Sequence, residues 1–117
     1  MDAVRSTYSF CAVAAFMIAG WSAVQRKTLL LLGGARYALP VIDAVHELGA
    51  KVVTCDYLPH NYAHAFSEQY INASIVDNGA VLAAARECKA DGIMSFAADP
   101  GVVAASYAAE KLGLPFQ

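Results

Sequence analysis

The chain has 117 residues, which is enough for one domain with one modest hydrophobic core. Its hydrophobic fraction of 58% lies above the roughly 45–50% that is usual for soluble proteins. From Thr28 onward it carries five Lys or Arg residues against nine Asp or Glu residues, a net charge of −4. This acidic balance, with no basic stripe, argues against nucleic acid as a partner, because phosphate binding needs clustered Lys and Arg.

The excess of apolar residues lies near the N-terminus, where residues 9–24, SFCAVAAFMIAGWSAV, contain no charge. This run is shorter than the roughly 20 residues that span a bilayer. It fits a signal peptide poorly, because Asp2 accompanies Arg5 and the bulky Trp21 precedes the Ala23 cleavage candidate. Residues 1–27 are therefore treated as an extension: a membrane-targeting segment, a packed extra helix, or a gene-start extension unrelated to the fold. We expect a cytoplasmic protein, with membrane association or export left open by residues 9–24.

From Thr28 to the C-terminus, residues 28–117, short apolar runs alternate with helical patterns. In chain order the sequence predicts a strand at Thr28–Leu32, a helix at Tyr37–Leu48, a strand at Lys51–Cys55, a strand at Gln69–Asn72, a helix capped by Asp77 or Asn78 that ends near Lys89, a strand at Gly92–Phe96 and a helix at Gly101–Leu112. Strands that alternate with helices in this way lie parallel and are joined by crossovers. The sequence therefore predicts a Rossmann-like, doubly wound α/β domain with about four parallel strands in three αβα layers.

Three loops follow predicted strands at their carboxyl ends, where open α/β sheets bind ligands. They are the loops 33–37 (sequence GGARY), 56–61 and 97–101. Gly33 and Gly34 either let backbone N–H groups approach a ligand at a helix N-terminus or simply turn the chain tightly. Because Arg36 and Tyr37 follow the pair, the loop departs from the GxGxxG pattern of dinucleotide-binding proteins.

Two acidic residues stand at the ends of these predicted strands. Asp56 occupies the position of the ribose-binding acid of a Rossmann dehydrogenase, and it either contacts a ligand or caps the following loop. Asp99 lies past the last strand, where it either contacts a substrate amine or caps the final helix. Both residues are candidates for substrate binding.

Histidine and cysteine spacing gives no metal site. His60 and His64 are four residues apart, which would suit metal binding on a helix, but no third ligand is evident. Cys11, Cys55 and Cys88 form no CxxC pair, so neither a zinc site nor a disulfide framework is predicted. We expect the cysteines to be small apolar core residues in a reducing compartment.

An ordered set of features over residues 27–115 indicates a family. A strand ends in GG, a helix ends in LG, a second strand ends in Asp, a loop precedes a short strand, and a DGI strand with an acidic loop leads to AEKLGLP. This set resembles the first domain of ATP-grasp enzymes. The group includes biotin carboxylase, the halves of the carbamoyl phosphate synthetase large subunit and formate-dependent phosphoribosylglycinamide transformylase.

The resemblance implies a ligase chemistry in which ATP phosphorylates a carboxylate and an amine or other nucleophile attacks the acyl phosphate. Magnesium bridges the phosphates, and the first domain shapes one wall of the acceptor-substrate site. On this resemblance and on their position, the predicted substrate-binding residues are Gly33, Gly34, Ala35, Arg36, Tyr37, Asp56 and Asp99. The transformylase branch usually carries a glutamate in the first and last loops, where this chain has Ala35 or Arg36 and Asp99, so the substrate is left open.

The resemblance assigns neither catalytic residues nor a cofactor to this chain. ATP and Mg²⁺ are expected only in a full-length ATP-grasp enzyme, whose ATP-binding lysines and magnesium-binding acids lie in later subdomains. We expect the chain to be inactive alone and to need a small-molecule substrate and the missing subdomains, in cis or in trans, as partners. Apolar surface near the C-terminus predicts self-association. The alternatives are half of a periplasmic-type sugar-binding fold, a nucleotide- or CoA-binding Rossmann module and a purely structural interaction domain.

Overall fold

A computed structural model describes residues 27–96 and 98–114 of the chain. The described residues form the strands β1 (Thr28–Leu32), β2 (Lys51–Asp56), β3 (Gln69–Asn72) and β4 (Gly92–Ser95) and the helices α1 (Leu39–Glu47), α2 (Asn78–Glu87) and α3 (Val102–Leu112). Short 3₁₀ turns lie at Arg36–Ala38, Tyr62–Phe66 and Asp99–Gly101. The apolar run at residues 9–24 lies outside the described residues. Within them, no helix has the length and apolarity needed to cross a membrane.

The four strands are all parallel and lie in the order β3-β2-β1-β4. β1 pairs with β2 from Thr28↔Lys51 onward and with β4 from Leu29↔Gly92 onward. The chain therefore moves outward from β1 through β2 to β3 and then returns to the other side of β1. This order confirms the predicted doubly wound α/β fold.

Alternate side chains of β1 enter two different cores, one on each face of the sheet. Leu29 and Leu31 pack on the α1 face, and Leu30 and Leu32 pack on the face covered by α2 and α3. The α1 side of the first core is made of Val41, Ile42, Ala44 and Val45. The helices of the second core contribute mainly small residues, Val81, Ala84, Ala85, Ala104, Ala105, Ala108 and Ala109. The helices thus lie on both faces of the sheet, as a three-layer αβα arrangement requires.

The first helix begins later than predicted. Residues 37 and 38 belong to the 3₁₀ turn, and α1 starts at Leu39, so that Pro40 falls in its first turn. A helix starting at Tyr37 would need a backbone N–H at Pro40, and the proline ring would clash with the carbonyl of Arg36. The second predicted helix begins as expected, because the Asp77 carboxylate accepts the Ala80 N–H at 3.0 Å as its N-cap.

Candidate functional site

The loop after β1 is held against β2 and against the loop after β4. The Gly33 N–H donates to the Cys55 carbonyl at 2.8 Å, and Gly33 has a φ of +99°, which side-chain-bearing residues rarely adopt. A Cβ on Gly33 would lie 3.3 Å from the Tyr37 hydroxyl oxygen and 3.4 Å from Cβ of Ala98. The loops after β1 and β4 therefore meet at the carboxyl edge, and a tight turn accounts for the glycine at position 33.

Gly34 is glycine for a different reason. A Cβ at this position would overlap Cε1 of His64 and would lie 2.5 Å from its Nε2 and 2.7 Å from its Nδ1. The Gly34 carbonyl accepts the Ala63 N–H at 2.8 Å. The sequence explains Gly34 by a nearby ligand or by a tight turn. In the structure, the group that lies close to Gly34 is the imidazole of His64, from the loop after β2.

His64 belongs to a buried polar cluster centred on Asp56. Its Nε2 lies 3.0 Å from Asp56 Oδ1 and 3.1 Å from the Leu58 carbonyl, and the two side chains are only 6% and 7% exposed. Because both neighbours accept hydrogen bonds, Nε2 carries a proton. Asp56 also accepts the Leu58 N–H at 2.8 Å and the Asn61 amide at 2.7 Å. The Asp56 carboxylate therefore folds the following loop, and its contact with a substrate stays a prediction.

The other side of the His64 ring is fixed as well. Nδ1 lies 2.7 Å from Thr54 Oγ1, which lies 2.9 Å from Ser67 Oγ. The Tyr70 ring lies 4.0 Å from the imidazole centroid, and its hydroxyl donates to the Asp56 carbonyl at 2.8 Å. Desolvation, followed by the negative charge of Asp56, raises the pKa of the Tyr70 hydroxyl, which keeps it a donor. We call Thr54, Asp56, His64, Ser67 and Tyr70 the Asp56–His64 cluster.

The loops after β2, β3 and β4 border one groove at the carboxyl edge. It has a volume of about 540 Å³ and is lined by Tyr57, Ser74, Ile75, Val76 and Pro100. Tyr57 and Val76 are 62% and 65% exposed, so ring and aliphatic surface faces solvent. We call this the edge groove. The sequence predicts the loops after β2 and β4 at this edge, but it gives no signal for the loop after β3, because residues 74–76 carry no charge or motif.

Arg36 lies toward the loop after β2 rather than toward the edge groove. Its guanidinium carbon is 4.4 Å from the ring centroid of Tyr62, which lies 5.4 Å from the ring of Phe66. Arg36 is exposed and Ala35 half-buried. A second depression, of about 470 Å³, lies on this side of the loop and is lined by Pro59, His60, Asn61, Tyr62, His64, Ala65 and Tyr70.

The last predicted residue, Asp99, begins the 3₁₀ turn after β4, beside Pro100 of the edge groove. Its side chain lies outside what the structure describes. The turn itself is closed by the Gly101 N–H, which donates to the Ala98 carbonyl at 2.8 Å, and the Ser95 hydroxyl donates to the same carbonyl at 2.7 Å. The three predicted loops therefore lie at one edge of the sheet. Gly34 and Asp56, however, contact other residues of the chain: Gly34 packs against His64, and Asp56 is hydrogen-bonded within its own loop.

The described part of the chain does not assemble a metal site. Within residues 27–96 and 98–114, no three His, Cys, Asp or Glu side chains lie close enough to hold an ion. His60 is exposed, whereas His64 is buried against Asp56, so the two predicted partners differ in environment. The predicted His60–His64 pair therefore gains no third ligand among the described residues.

Comparison with solved structures identifies the fold. The chain is similar to phosphoribosylglycinamide synthetase from Anaerococcus prevotii, with a TM-score of 0.70 and 22% identity over 76% of this chain and 23% of that one. It is also similar to glycinamide-RNase-transformylase T from Mycobacterium tuberculosis, with a TM-score of 0.67 and 24% identity over 77% and 28%. The chain has the fold of the matched parts of these two proteins. The expected resemblance is thus confirmed at the level of the fold.

The chain spans about a quarter of the length of each of the two solved structures. No protein-family model matches the chain, and no curated protein matches it in sequence.

Proposed function

We propose that the chain is the substrate-side domain of an ATP-grasp carboxylate–amine ligase, or of a carbamoyl phosphate synthetase-like enzyme. The edge groove carries this proposal, because three loops from the carboxyl ends of parallel strands border it and the glycine loop lies beside it. The similarity in fold to a synthetase and a transformylase supports the ligase class.

For the acceptor we propose a phosphorylated amine; phosphoribosylglycinamide, which the name of one similar structure gives as the product of that synthetase, is the probe for it. Arg36 is the exposed cation of the glycine loop, and its guanidinium suits the phosphate once the side chain turns from the Tyr62 ring toward the edge groove. The exposed ring of Tyr57 and the side chain of Pro100 offer apolar surface for the uncharged part of the molecule, and the Ser74 hydroxyl offers a hydrogen bond.

In this function the chain binds and orients the acceptor, while ATP and magnesium belong to the ATP-grasp subdomains, acting in cis or in trans. A cytoplasmic location and inactivity of the chain alone are part of the same proposal.

A chemical-shift titration tests the acceptor site directly. With ¹⁵N-labelled chain, phosphoribosylglycinamide should shift the amides of Gly33, Ser74, Ile75 and Gly101, with a Kd on the order of 1 mM, since one wall of a pocket gives few contacts. Magnesium-ATP should shift none of these amides. Shifts produced equally by free ribose would favour the sugar-binding alternative. No response to phosphoribosylglycinamide at concentrations well above that Kd would contradict the proposal.

A matched pair of variants separates a phosphate contact from general charge. Arg36→Gln should weaken phosphoribosylglycinamide binding about tenfold, the order expected for losing one charge-assisted contact. Arg86→Gln removes the same charge from the exposed last turn of α2 and should leave the affinity unchanged. Equal weakening by both variants would show that Arg36 acts only through net charge.

The DNA after codon 117 gives an independent test of the ligase class. We expect it to encode, in some frame, a glycine-rich loop with a lysine followed by acidic magnesium ligands. A second Rossmann lobe in its place would favour the sugar-binding alternative. Calorimetry of the chain with magnesium-ATP should give no binding, and micromolar affinity would contradict the division of labour proposed above.

Self-association is proposed from exposed apolar residues at the start of α3. Val102 and Val103 are 41% and 68% exposed and adjoin the groove residue Pro100. Such surface favours association when no partner domain covers it. Sedimentation velocity should show a concentration-dependent mass, and Val103→Lys should reduce it. A monomeric profile at every concentration would exclude this association.

A further inference from the structure

We propose that His64 is a positioning residue for the glycine loop, residues 33–37. Its imidazole packs against the backbone at Gly34 and holds it in place, and the Asp56–His64 cluster holds the imidazole. The inference rests on the proposed function only in taking the glycine loop as part of the substrate wall. The sequence alone predicts His64 only as half of a metal-binding pair with His60.

The first support is steric. Gly34 and the imidazole are so close that even one methyl group on Gly34 would overlap the ring. Gly34 does not have a positive φ, so the backbone conformation does not explain the glycine. The ring therefore defines how far the loop after β1 can move toward β2.

The second support is the fixed orientation of the ring. Nε2 faces Asp56 Oδ1 and the Leu58 carbonyl, and Nδ1 faces Thr54 Oγ1. Turning the ring over would place carbon atoms against these polar groups and leave a buried carboxylate short of a donor. With a Tyr70 ring 4.0 Å away, the imidazole presents a constant edge to Gly34.

The third support is the link between the two loops. The Ala63 N–H, adjacent to His64, donates to the Gly34 carbonyl at 2.8 Å, and the Gly33 N–H donates to the Cys55 carbonyl at 2.8 Å. The glycine loop is therefore held from the β2 side by two backbone hydrogen bonds and one ring. Loss of the ring should loosen the first hydrogen bond while the sheet stays formed.

The test compares His64→Leu and His64→Gln with His46→Gln, which changes another histidine paired with a carboxylate, Glu68. In His64→Leu, the Ala63 amide should exchange at least about tenfold faster relative to the amides of β1 and β2, which report global unfolding. Affinity for phosphoribosylglycinamide should fall about tenfold or more, because a small displacement of the binding loop takes its contacts with the ligand out of the right geometry. His46→Gln should change neither quantity.

His64→Gln provides a rescue, because a glutamine amide can still donate to Asp56. It should recover part of the Ala63 protection and part of the affinity. If His64→Leu does not fold, the test uses His64→Gln and the NMR spectrum of the wild-type imidazole. In that spectrum the proton on Nε2 of His64 should exchange slowly with solvent. Unchanged Ala63 exchange in every folded His64 variant would overturn the positioning role. If the wild-type chain does not bind the substrate, the proposed function fails, while Ala63 exchange still tests the positioning role.

Discussion

His46 Nε2 lies 2.8 Å from Oε2 and 2.9 Å from Oε1 of Glu68, and Glu68 Oε1 also accepts the Val52 N–H at 2.7 Å. One carboxylate just before β3 thus joins α1 to β2. The two side chains are 36% and 42% exposed, in contrast to the buried Asp56–His64 pair, so water screens their interaction. The chain therefore contains two histidine–carboxylate pairs in very different surroundings.

The exposed pair predicts a small dependence of stability on acidic pH. Partial burial acts to raise the pKa of Glu68, but hydrogen bonds from Val52 and His46 and the charge of His46 outweigh it and lower the pKa below its ordinary value of 4.5. The lowered pKa contributes stability that is present above pH 4.5 and is lost as the pH falls through the folded-state value. The contribution should be about 0.5 kcal/mol, as for other exposed pairs.

Urea unfolding of wild type and Glu68→Gln at neutral pH and near pH 3 measures this contribution. The difference between the two proteins should shrink at the acidic pH. Asp43→Asn, on the exposed face of α1, serves as the control for a general loss of negative charge. A difference that is the same at both pH values would contradict the role of Glu68.

The close contact between Gly34 and His64 predicts strong coupling between substitutions at the two positions. Gly34→Ala should destabilise the wild-type chain by about 2 kcal/mol through overpacking. On a His64→Ala background the same substitution should be easier by at least about 1 kcal/mol, because the overlapping atoms are gone. Gly101→Ala, whose new Cβ would lie 2.9 Å from Ser95 Oγ, is the control and should be additive with His64→Ala. Additive behaviour at position 34 would contradict the contact.

The strands could be predicted well because their signal is local. Thr28–Leu32 and Gln69–Asn72 have the predicted bounds, and Lys51–Asp56 and Gly92–Ser95 differ by one residue. A continuous apolar run bounded by glycine or a polar residue specifies a buried strand without reference to the rest of the chain. The carboxyl-end rule then places the three loops on one edge.

The contacts that the loop residues make with one another could not be predicted from the sequence, because they depend on the three-dimensional path of the loops. The sequence places Asp56 at the end of the second strand, but the donors to its carboxylate come from Leu58, Asn61 and His64, in a loop without a recognisable pattern. The contact between His64 and Gly34 joins positions 30 residues apart. The spacing predicts His60 as the partner of His64, whereas in the folded chain the partner is Asp56, the last residue of β2.

The N-cap of α2 gives a prediction that separates geometry from charge. Asp77 Oδ1 accepts the Ala80 N–H at 3.0 Å, so Asp77→Ala should lower the free energy of unfolding by about 1 kcal/mol. Asp77→Asn keeps an acceptor oxygen, so it should lower the free energy of unfolding by only a few tenths of a kcal/mol. Thermal unfolding followed by circular dichroism measures both. Equal losses for the two variants would assign the effect to the carboxylate charge and not to the cap.

The buried thiol of Cys55 should be nearly unreactive in the folded chain. Burial first, then the charges of Asp56 and Cys88, raises the pKa of Cys55 to about 12, and the thiol donates weakly to the Ala73 carbonyl at 3.7 Å. Because the thiolate is the nucleophile, a Cys11→Ser/Cys88→Ser variant should react with a disulfide reagent at least about a thousandfold more slowly when folded than when unfolded.

The same raised pKa predicts a loss of stability at alkaline pH. Below the ordinary value of 9.0 the Cys55 thiol is protonated in both states, so it contributes no pH dependence. Between 9.0 and about 12 the unfolded chain loses this proton first, and the free energy of unfolding falls as the pH rises. Cys55→Ala should lack this component, so its unfolding free energy should decline less than that of wild type between about pH 8 and pH 10. Parallel declines would show that Cys55 does not titrate differently in the two states, because only a group with a shifted pKa can separate the curves.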